Sequence, residues 1–472
     1  MIIKSSSNKN NFVELIKQLV VWLIACTLLS CGYYSSYTPD NDFNKPNSWR
    51  SQDQLYTNTA EKLPYLAWWQ KFDDPTLNQL IESGLANNNS IRVSMANVEA
   101  AQGQLKQVEL NWIPSLSTNI GYSSFPDLGL PGVLFAVLPT YTMNFFTQIK
   151  QQKQAKYQLL ATKADDDGIR LAVIGLIANS YFMLSSQTEQ LQLFEELDKD
   201  LAELVTIANS AYNGGITSAI NPTQAKSELK LIDAEKRVVL QNIVVSQNAL
   251  HYLLNENPAP IKLSRSFAQL NPNQIVIGNL PLTVIENRPD MIKATYDLKA
   301  ANEGIGVAFT NLLPSIQLSA ARGEIATVPN GYDYGQPIWF NQALLQIPVF
   351  NASVYGQLDT AKGLNKASYY TYTETLRKVL REVDDALSAH DLYSKRAVDI
   401  LAASDELKRI YKLNMALYKK GIISDAQLLE HKVRLDRILI QVNKAKAEQF
   451  ITVVNLYQDL AGGYNYNHKE DT

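Results

Sequence analysis

Side chains that commonly do chemistry in proteins are few in this chain, and they are scattered. Its 472 residues include two cysteines and four histidines, and none of them has the spacing of a metal site. The acidic run Asp165–Asp167 lacks the spaced oxygen ligands of a calcium loop. We also find no Gly-x-Ser-x-Gly, His-Glu-x-x-His or phosphate-loop motif. The sequence therefore predicts no catalytic residue, no metal and no cofactor, and a protein that is not an enzyme.

Both cysteines lie near the amino terminus, at Cys26 and Cys31. Three lysines precede an apolar run of about 11 residues, which is typical of a secretory signal and too short to span a membrane. Because Cys31 directly follows Leu-Leu-Ser, it resembles the acylated cysteine of a bacterial lipobox. We expect cleavage before Cys31 and lipidation of its thiol, although Cys26 also fits the pattern and stays an alternative.

The rest of the chain contains an internal duplication. Residues 91–116 return as residues 291–316, and the Tyr-x-x-Gly motif at Tyr212 returns at Tyr418. Such a repeat predicts units that bury a core only together. We therefore predict a signal peptide, an extended tether, two repeats and a polar tail, at residues 1–30, 31–63, 64–260, 261–464 and 465–472.

Each repeat predicts a helix, two strands and a long helical hairpin. Alternation of apolar with small polar residues indicates the strands, at about residues 115–124, 140–148, 315–323 and 339–349. Residues 151–213 contain no proline and carry apolar residues at spacings of three, four and seven, which is typical of coiled-coil packing. The hairpin tips are predicted at about residues 213–222 and 419–425.

Four strands and two hairpins are too few to close on themselves, since the smallest membrane barrels have about eight strands. Only the strands suit a lipid environment. We therefore expect a mainly α fold with a small β part that assembles as a homotrimer. Its twelve strands would form an outer-membrane barrel, continued by a twelve-helix coiled-coil tunnel in the periplasm.

Composition narrows the function classes further. Charged residues make up 19% and hydrophobic residues 46% of the chain, which argues against both a disordered chain and a polytopic helical membrane protein. A formal net charge of −3 and the absence of a Lys/Arg-rich patch give no reason to expect a nucleic-acid partner.

The order of these motifs resembles the TolC-like outer-membrane factors, and most closely their lipoprotein branch that serves resistance-nodulation-division efflux pumps. The resemblance covers about residues 64–464 and includes the duplicated order of the motifs. It is carried by the hairpin tyrosines and by Trp68-Trp69, Asp74-Pro75, Pro114, Pro314, Ile347–Asn351 and Gly356–Ala361. The resemblance implies a passive outer-membrane conduit for small molecules. It also implies docking on a periplasmic adaptor and an inner-membrane transporter through the hairpin tips, at Gly214, Gly215, Lys420 and Gly421.

A periplasmic gate in the second hairpin is also implied by the resemblance. Tyr418 matches the gate tyrosine of the family, and Gln427 and Glu430 match its two gate carboxylates. The first acid is therefore missing, and the basic partner of the tyrosine falls on the uncharged Ile423. We expect a constriction formed by Glu430 from three copies, near Asp425, that favours cations. The alternative is that Glu430 lies on a solvated helix face.

Two other functions stay open on the sequence alone. A type I protein secretion channel has the same implied architecture, whereas a lipid-anchored coiled-coil scaffold conducts nothing. The lipobox favours small-molecule efflux over secretion. The alternating strands argue against the scaffold, because a periplasmic tether has no use for a lipid-facing sheet.

Overall fold

A computed structural model describes residues 67–123, 132–272, 282–327, 334–348 and 350–460. The predicted signal peptide, tether and polar tail, with Cys26 and Cys31, lie outside the described residues. Within them the chain forms two compact units: a strand unit, Ala100–Ala161 with Ala294–Tyr372, and a hairpin unit made of the other described residues. The expectation of a mainly α fold with a small β part is confirmed.

The two repeats have the same order of elements. The first repeat begins with a 3-10 turn at Trp68–Phe72 and continues with α1 Pro75–Asn87, α2 Asn89–Leu110, β1 Ser115–Ser123, β2 Gly132–Met143, α3 Phe145–Asn213 and α4 Ile220–Leu254. The second contains α5 Pro289–Thr310, β3 Ser315–Thr327, β4 Tyr334–Gln346, α6 Ala352–Lys419 and α7 Asp425–Asp459. In each repeat a helix of almost 70 residues leads into a hairpin and a return helix of 35 residues.

Asparagine and aspartate side chains set the first helix boundaries. Asp74 accepts hydrogen bonds from the backbone N–H groups of Thr76 and Leu77, at 2.9 and 3.2 Å, and so caps α1. Asn88 separates α1 from α2, because its Oδ1 accepts from the N–H of Ser90 at 2.8 Å while its Nδ2 donates to the carbonyl of Leu253, also at 2.8 Å.

The four strands form one antiparallel sheet in the order β1-β2-β3-β4. The predicted position of the second strand, residues 140–148, is wrong: β2 begins at Gly132 and ends at Met143. Pro139 lies inside β2 opposite Leu116, although proline is disfavoured within strands. The side chain of Asn144 accepts from the N–H of Thr147 at 3.2 Å, which starts α3 where the strand was expected to continue.

The fourth strand also lies earlier in the chain than the predicted residues 339–349. It spans Tyr334–Gln346 and pairs along its whole length with β3, from Ser315 opposite Gln346 to Thr327 opposite Tyr334. Pro348 follows two residues after the end of β4 and has no N–H with which to extend the ladder.

An aromatic cluster and an aliphatic cluster form the core of the hairpin unit. Trp68 stacks on Tyr457 with ring centroids 5.2 Å apart, and Phe182 stacks on Phe450 at 4.5 Å. The aliphatic cluster joins α3, α4 and α7 and contains Leu197, Leu201, Val239, Val433 and Ile440, with the ring of Phe194 buried in the same cluster. The first hairpin is therefore packed directly against the return helix of the second.

By composition alone, α3 contains a stretch apolar enough to cross a membrane. More than half of that stretch is buried inside the chain. Its apolar composition is therefore explained by packing in the core of the hairpin unit.

Candidate functional site at the hairpin tips

The first hairpin turns through a glycine in the left-handed region. Gly215 has φ of +71°, a conformation that costs glycine little because it has no Cβ. Its N–H donates to the carbonyl of Tyr212 at 3.0 Å, and the N–H of Ile216 donates to the carbonyl of Ala211 at 2.9 Å. This pair of bonds is a Schellman motif, which satisfies the last carbonyls of α3. Gly214, the other predicted tip residue, directly follows the last residue of α3.

The second hairpin repeats this motif. Gly421 has φ of +70° and donates to the carbonyl of Tyr418 at 2.8 Å, while Ile422 donates to the carbonyl of Leu417 at 3.1 Å. Lys420 occupies the position of Gly214. Tyr418, the predicted gate tyrosine, lies in the last turn of α6, with 39% of its surface exposed. The motif places the two hairpin tyrosines at the same position relative to their turns.

Each turn glycine is followed by an isoleucine whose side chain is largely exposed to solvent. Ile216 is 83% exposed and Ile422 is 63% exposed. In many Schellman motifs the residue after the glycine packs back on its own helix. Apolar side chains that stay exposed at both tips are instead candidates for contact with a partner.

The return helices begin differently at the two tips. Ser424 caps α7 through a capping box: its Oγ accepts from the N–H of Gln427 at 3.2 Å, and the Oε1 of Gln427 accepts from the N–H of Ser424 at 3.0 Å. The cap of α4 is Ala219, which makes no side-chain hydrogen bond. The side chain of Gln427, at the predicted gate position, therefore serves to start α7.

Glu430 lies one turn further along α7 and lines a cleft of about 450 Å³ between the ends of the hairpins. Gln224, its counterpart in the first repeat, lines the same cleft. Arg437 of α7 and Glu228 of α4 also line the cleft and form an ion pair at 2.6 Å. Among the described residues, the lining of this cleft includes neither Tyr418 nor Gln427. The three predicted gate residues thus lie in one segment, but only Glu430 faces the cleft.

Sequence reasoning missed a buried ionic cluster further from the tip. Asp200 of α3 and Lys432 and Asp436 of α7 meet there, with the Nζ of Lys432 2.9 and 2.8 Å from the two carboxylate oxygens of Asp200. Burial raises the pKa of Asp436 to about 7, and a hydrogen bond between the Asp436 and Asp200 carboxyl groups and the negative charge of Asp200 act in the same direction. No local pattern signals this cluster, because Asp200 lies 232 residues before Lys432 and belongs to the other repeat.

A second missed cluster surrounds Arg288, just before α5. Its guanidinium forms a bidentate pair with Asp290, at 3.0 and 2.8 Å, and contacts Glu382 of α6 at 2.9 Å. It also donates to the backbone carbonyl of Asp459, the last residue of α7, at 2.8 Å. Burial raises the pKa of the Asp459 carboxyl to about 6, although the charge of Arg288 lowers it.

Apolar side chains of the strand unit are exposed on one face of β1. Leu116, Ile120 and Tyr122 are each at least 70% exposed and alternate along the strand. Within the described residues β1 pairs only with β2, and β4 pairs only with β3. The sheet therefore has an exposed apolar face on β1, which suits a lipid environment or an apolar partner, and two edges whose free backbone groups need a hydrogen-bonding partner.

The return helix α4 carries a second exposed apolar surface. Its residues recur at intervals of seven and are all more than half exposed: Leu231, Val238, Val245 and Tyr252. A seven-residue apolar repeat is the pattern of a coiled-coil seam, which packs against another helix. The described residues leave this seam exposed.

The chain matches one family model and many solved structures. The model, described as "Outer membrane efflux protein", matches residues 80–256 and 280–462. The chain is 26% identical over 420 residues to the probable efflux pump outer membrane protein TtgC of Pseudomonas putida, covering 84% of this chain and 85% of that protein. It is 24% identical over 412 residues to the probable outer membrane lipoprotein SilC of Salmonella typhimurium, covering 84% and 88%.

Two solved channels illustrate the structural likeness. The CmeC outer membrane channel of Campylobacter jejuni has a TM-score of 0.77 at 20% identity, over 92% of this chain and 96% of that one. The open state of the MtrE outer membrane channel of Neisseria gonorrhoeae also has a TM-score of 0.77, at 22% identity, over 91% and 97%. At this level of identity the likeness concerns the fold.

Proposed function

Because the chain belongs to the outer membrane efflux protein family, we propose that it is the outer-membrane conduit of a tripartite pump, carrying small molecules from the periplasm or a transporter to the exterior. The observation that carries this proposal is the four-stranded sheet with an exposed apolar face on β1 and two open edges. A lipid-facing barrel is the way in which such a sheet satisfies its backbone in a membrane.

The conduit is a homotrimer in this proposal. Three copies join β1 of one chain to β4 of the next, and the resulting twelve strands have no edge left. The heptad seam on α4 packs against a neighbouring copy, so that twelve helices enclose a periplasmic tunnel. The free strand edges and the exposed seam both support this assembly.

Lipid attachment and partner docking complete the proposal. Residues 1–30 are a signal peptide, Cys31 is the lipidated residue and residues 31–63 are the tether, followed by repeats at 64–260 and 261–464 and a tail at 465–472. The tips at Gly214, Gly215, Lys420 and Gly421 meet a periplasmic adaptor and, with it, an inner-membrane transporter. The exposure of Ile216 and Ile422 supports such contacts.

The gate belongs to the second tip. Glu430 from three copies forms the constriction, Tyr418 packs beside it, and Gln427 holds the start of α7 through its capping box. A ring of carboxylates favours cations. With one acidic ring in place of two, the selectivity for cations and the block by divalent ions are expected to be weak.

Planar-bilayer recording of the full-length, acylated protein tests the conduit. We expect small, cation-preferring currents that increase when Gly215 and Gly421 are replaced by alanine, because a positive φ is strained for any residue with a Cβ. No current from either protein would contradict the conduit and favour a non-conducting scaffold. Cys31→Ser is expected to abolish acylation, whereas continued acylation would identify Cys26 as the lipidated residue.

Cargo size separates efflux from type I protein secretion, which is the alternative function. Cells that carry the protein with its own adaptor and transporter are expected to exclude small toxic compounds. Secretion of a polypeptide by the same cells, without any change in small-molecule tolerance, would favour the alternative.

A further inference from the structure

The buried cluster of Asp200, Lys432 and Asp436 joins the two hairpins at one point. Asp200 belongs to the outgoing helix of the first hairpin, and the other two residues belong to the return helix of the second. Asp200 is 2% exposed and Asp436 is 5% exposed. Carboxyl groups this deeply buried are retained in proteins only when they are paired or carry a proton.

The surroundings of the cluster are apolar. Leu201 and Val433 lie next to Asp200 and Lys432 in sequence, and both belong to the aliphatic cluster that packs α3, α4 and α7 together. The two carboxyl groups are therefore shielded from water, which strengthens the electrostatic interactions between them. The side chain of Lys432 is 39% exposed. The Oδ2 of Asp436 is buried with no hydrogen-bond partner among the described residues.

Charges in the cluster do not balance when both aspartates are ionised. One ammonium, that of Lys432, then faces two carboxylates, and Glu196 of α3 adds further negative potential. Burial lowers the pKa of Lys432, but the hydrogen bond and charge of Asp200 outweigh burial and raise it overall, so the ammonium persists. A single proton shared by Asp200 and Asp436 restores neutrality, because a carboxyl O–H then donates to a carboxylate.

Other helices leave this charge balance unchanged. Tyr411 of α6 faces Lys432 and favours its charged form. On α4, Lys236 is paired with Asp198 at 2.9 Å, and Glu228 is paired at 2.6 Å with Arg437, the residue that follows Asp436 on α7. The proton on the two aspartates is therefore the only exchangeable charge near neutral pH among these described groups.

We propose that Asp200, Asp436 and Lys432 form a proton-controlled latch that holds the second return helix against the first hairpin and releases it when the proton leaves. In the closed state the proton lies between the carboxyl oxygens of Asp200 and Asp436, and Lys432 neutralises the remaining charge. Loss of the proton leaves a net negative charge in an apolar core, which is relieved when α7 moves away and water enters. This inference rests on the proposed function in one respect: the released state is the conducting one.

The direction of the pH effect follows from the raised pKa of Asp436. Its ordinary value is 3.8 and its value in the closed structure is about 7, so the closed state binds the proton more tightly than an opened state does. The stabilisation is complete below the ordinary pKa and is lost as the pH rises through about 7. Between pH 5.5 and 8 this linkage increases the ratio of released to closed latch by up to about 30-fold.

Spin-label distances measure the latch without any need for conduction. Labels at Ala202→Cys on α3 and Gln441→Cys on α7, both exposed positions, report the separation of the two helices in the full-length protein. We expect the distance distribution to lengthen between pH 5.5 and 8. The isosteric Asp436→Asn, which cannot ionise, is expected to give the short distance at both pH values, as is Asp200→Asn.

Controls separate the latch from general pH effects. The exposed Asp399 of α6 provides the matched variant Asp399→Asn, which is expected to keep the wild-type response. The latch is refuted by a wild-type distance that does not change with pH, or by a response that survives in both Asp436→Asn and Asp200→Asn.

Bilayer currents recorded on the same proteins distinguish the latch from the conduit. Currents that rise with pH in wild type and not in Asp436→Asn support both proposals. A distance change with no current at any pH supports the latch as a structural element and contradicts the conduit.

Discussion

The two hairpin tips share one backbone geometry and differ in the side chains that follow it. Gly215 and Gly421 have almost the same φ and close the same two hydrogen bonds. Beyond the turn, the first return helix starts at Ala219 without a side-chain cap, whereas the second starts at Ser424 with a capping box. The turn is fixed by backbone stereochemistry, so the repeats agree there, while the return helices are free to differ.

A second pair of equivalent positions shows the same division. Asn88 and Arg288 both precede the helix that leads into the strands, and both donate to the carbonyl at the end of a return helix, at Leu253 and Asp459 respectively, at 2.8 Å. The contact is the same, but the first donor is neutral and the second is a cation. Carbonyls at a helix end favour a cation. In the second repeat this cation also forms ion pairs with Asp290, Glu382 and Asp459.

We call Asn88 and Arg288 anchors, because each donates to the carbonyl at the end of a return helix. The largest effect is expected from removing the charged anchor, Arg288. Arg288→Ala leaves Glu382, Asp290 and Asp459 close together around a buried position, and breaking such a network typically costs about 3–5 kcal/mol. Thermal unfolding of the purified protein measures the loss. The exposed pair Lys230–Asp233 supplies a control, since Lys230→Ala is expected to leave the melting temperature unchanged. An equal effect of the two substitutions would mean that Arg288 is not an anchor.

The neutral anchor is expected to matter less. Asn88→Ala removes the bond to Leu253 and the cap of α2, and a buried hydrogen bond lost on one side typically costs about 1–3 kcal/mol. The same thermal measurement compares the two repeats directly. A loss as large as that of Arg288→Ala would show that charge contributes nothing to the difference between them.

A smaller effect is expected at the capping box. Ser424→Ala removes the cap of α7, which typically costs about 1 kcal/mol and thus raises the local opening of its first turn about fivefold. Hydrogen exchange of the amides at the start of α7 measures this opening. Ser218→Ala, at the equivalent position before α4, is expected to change nothing, because α4 starts without a side-chain cap. Equal changes at both tips would contradict the asymmetry.

The sequence was sufficient for the features that depend on local rules. The turn glycines, the hairpin tyrosines and the alternating strands were all visible as patterns, since backbone conformation and side-chain period are short-range properties. The start of β2 was not visible, because Pro139 is tolerated only where the ladder between β2 and β3 is interrupted, at Leu138 and Pro139. The anchors and the buried aspartates were not visible either, because each depends on contacts between distant segments.

The smallest effect concerns the position at which the two tips differ in charge, Gln224 against Glu430. Glu430→Gln makes the second tip like the first, and we expect block of the currents by divalent cations to weaken about threefold, because an exposed carboxylate in water contributes little binding energy. Gln224→Glu makes the first tip like the second. If both tips line the same opening, as their shared cleft suggests, the block strengthens by a similar factor. If the divalent block is the same in Glu430→Gln as in wild type, Glu430 is not part of the gate. If the block changes in Glu430→Gln and not in Gln224→Glu, the gate belongs to the second hairpin alone.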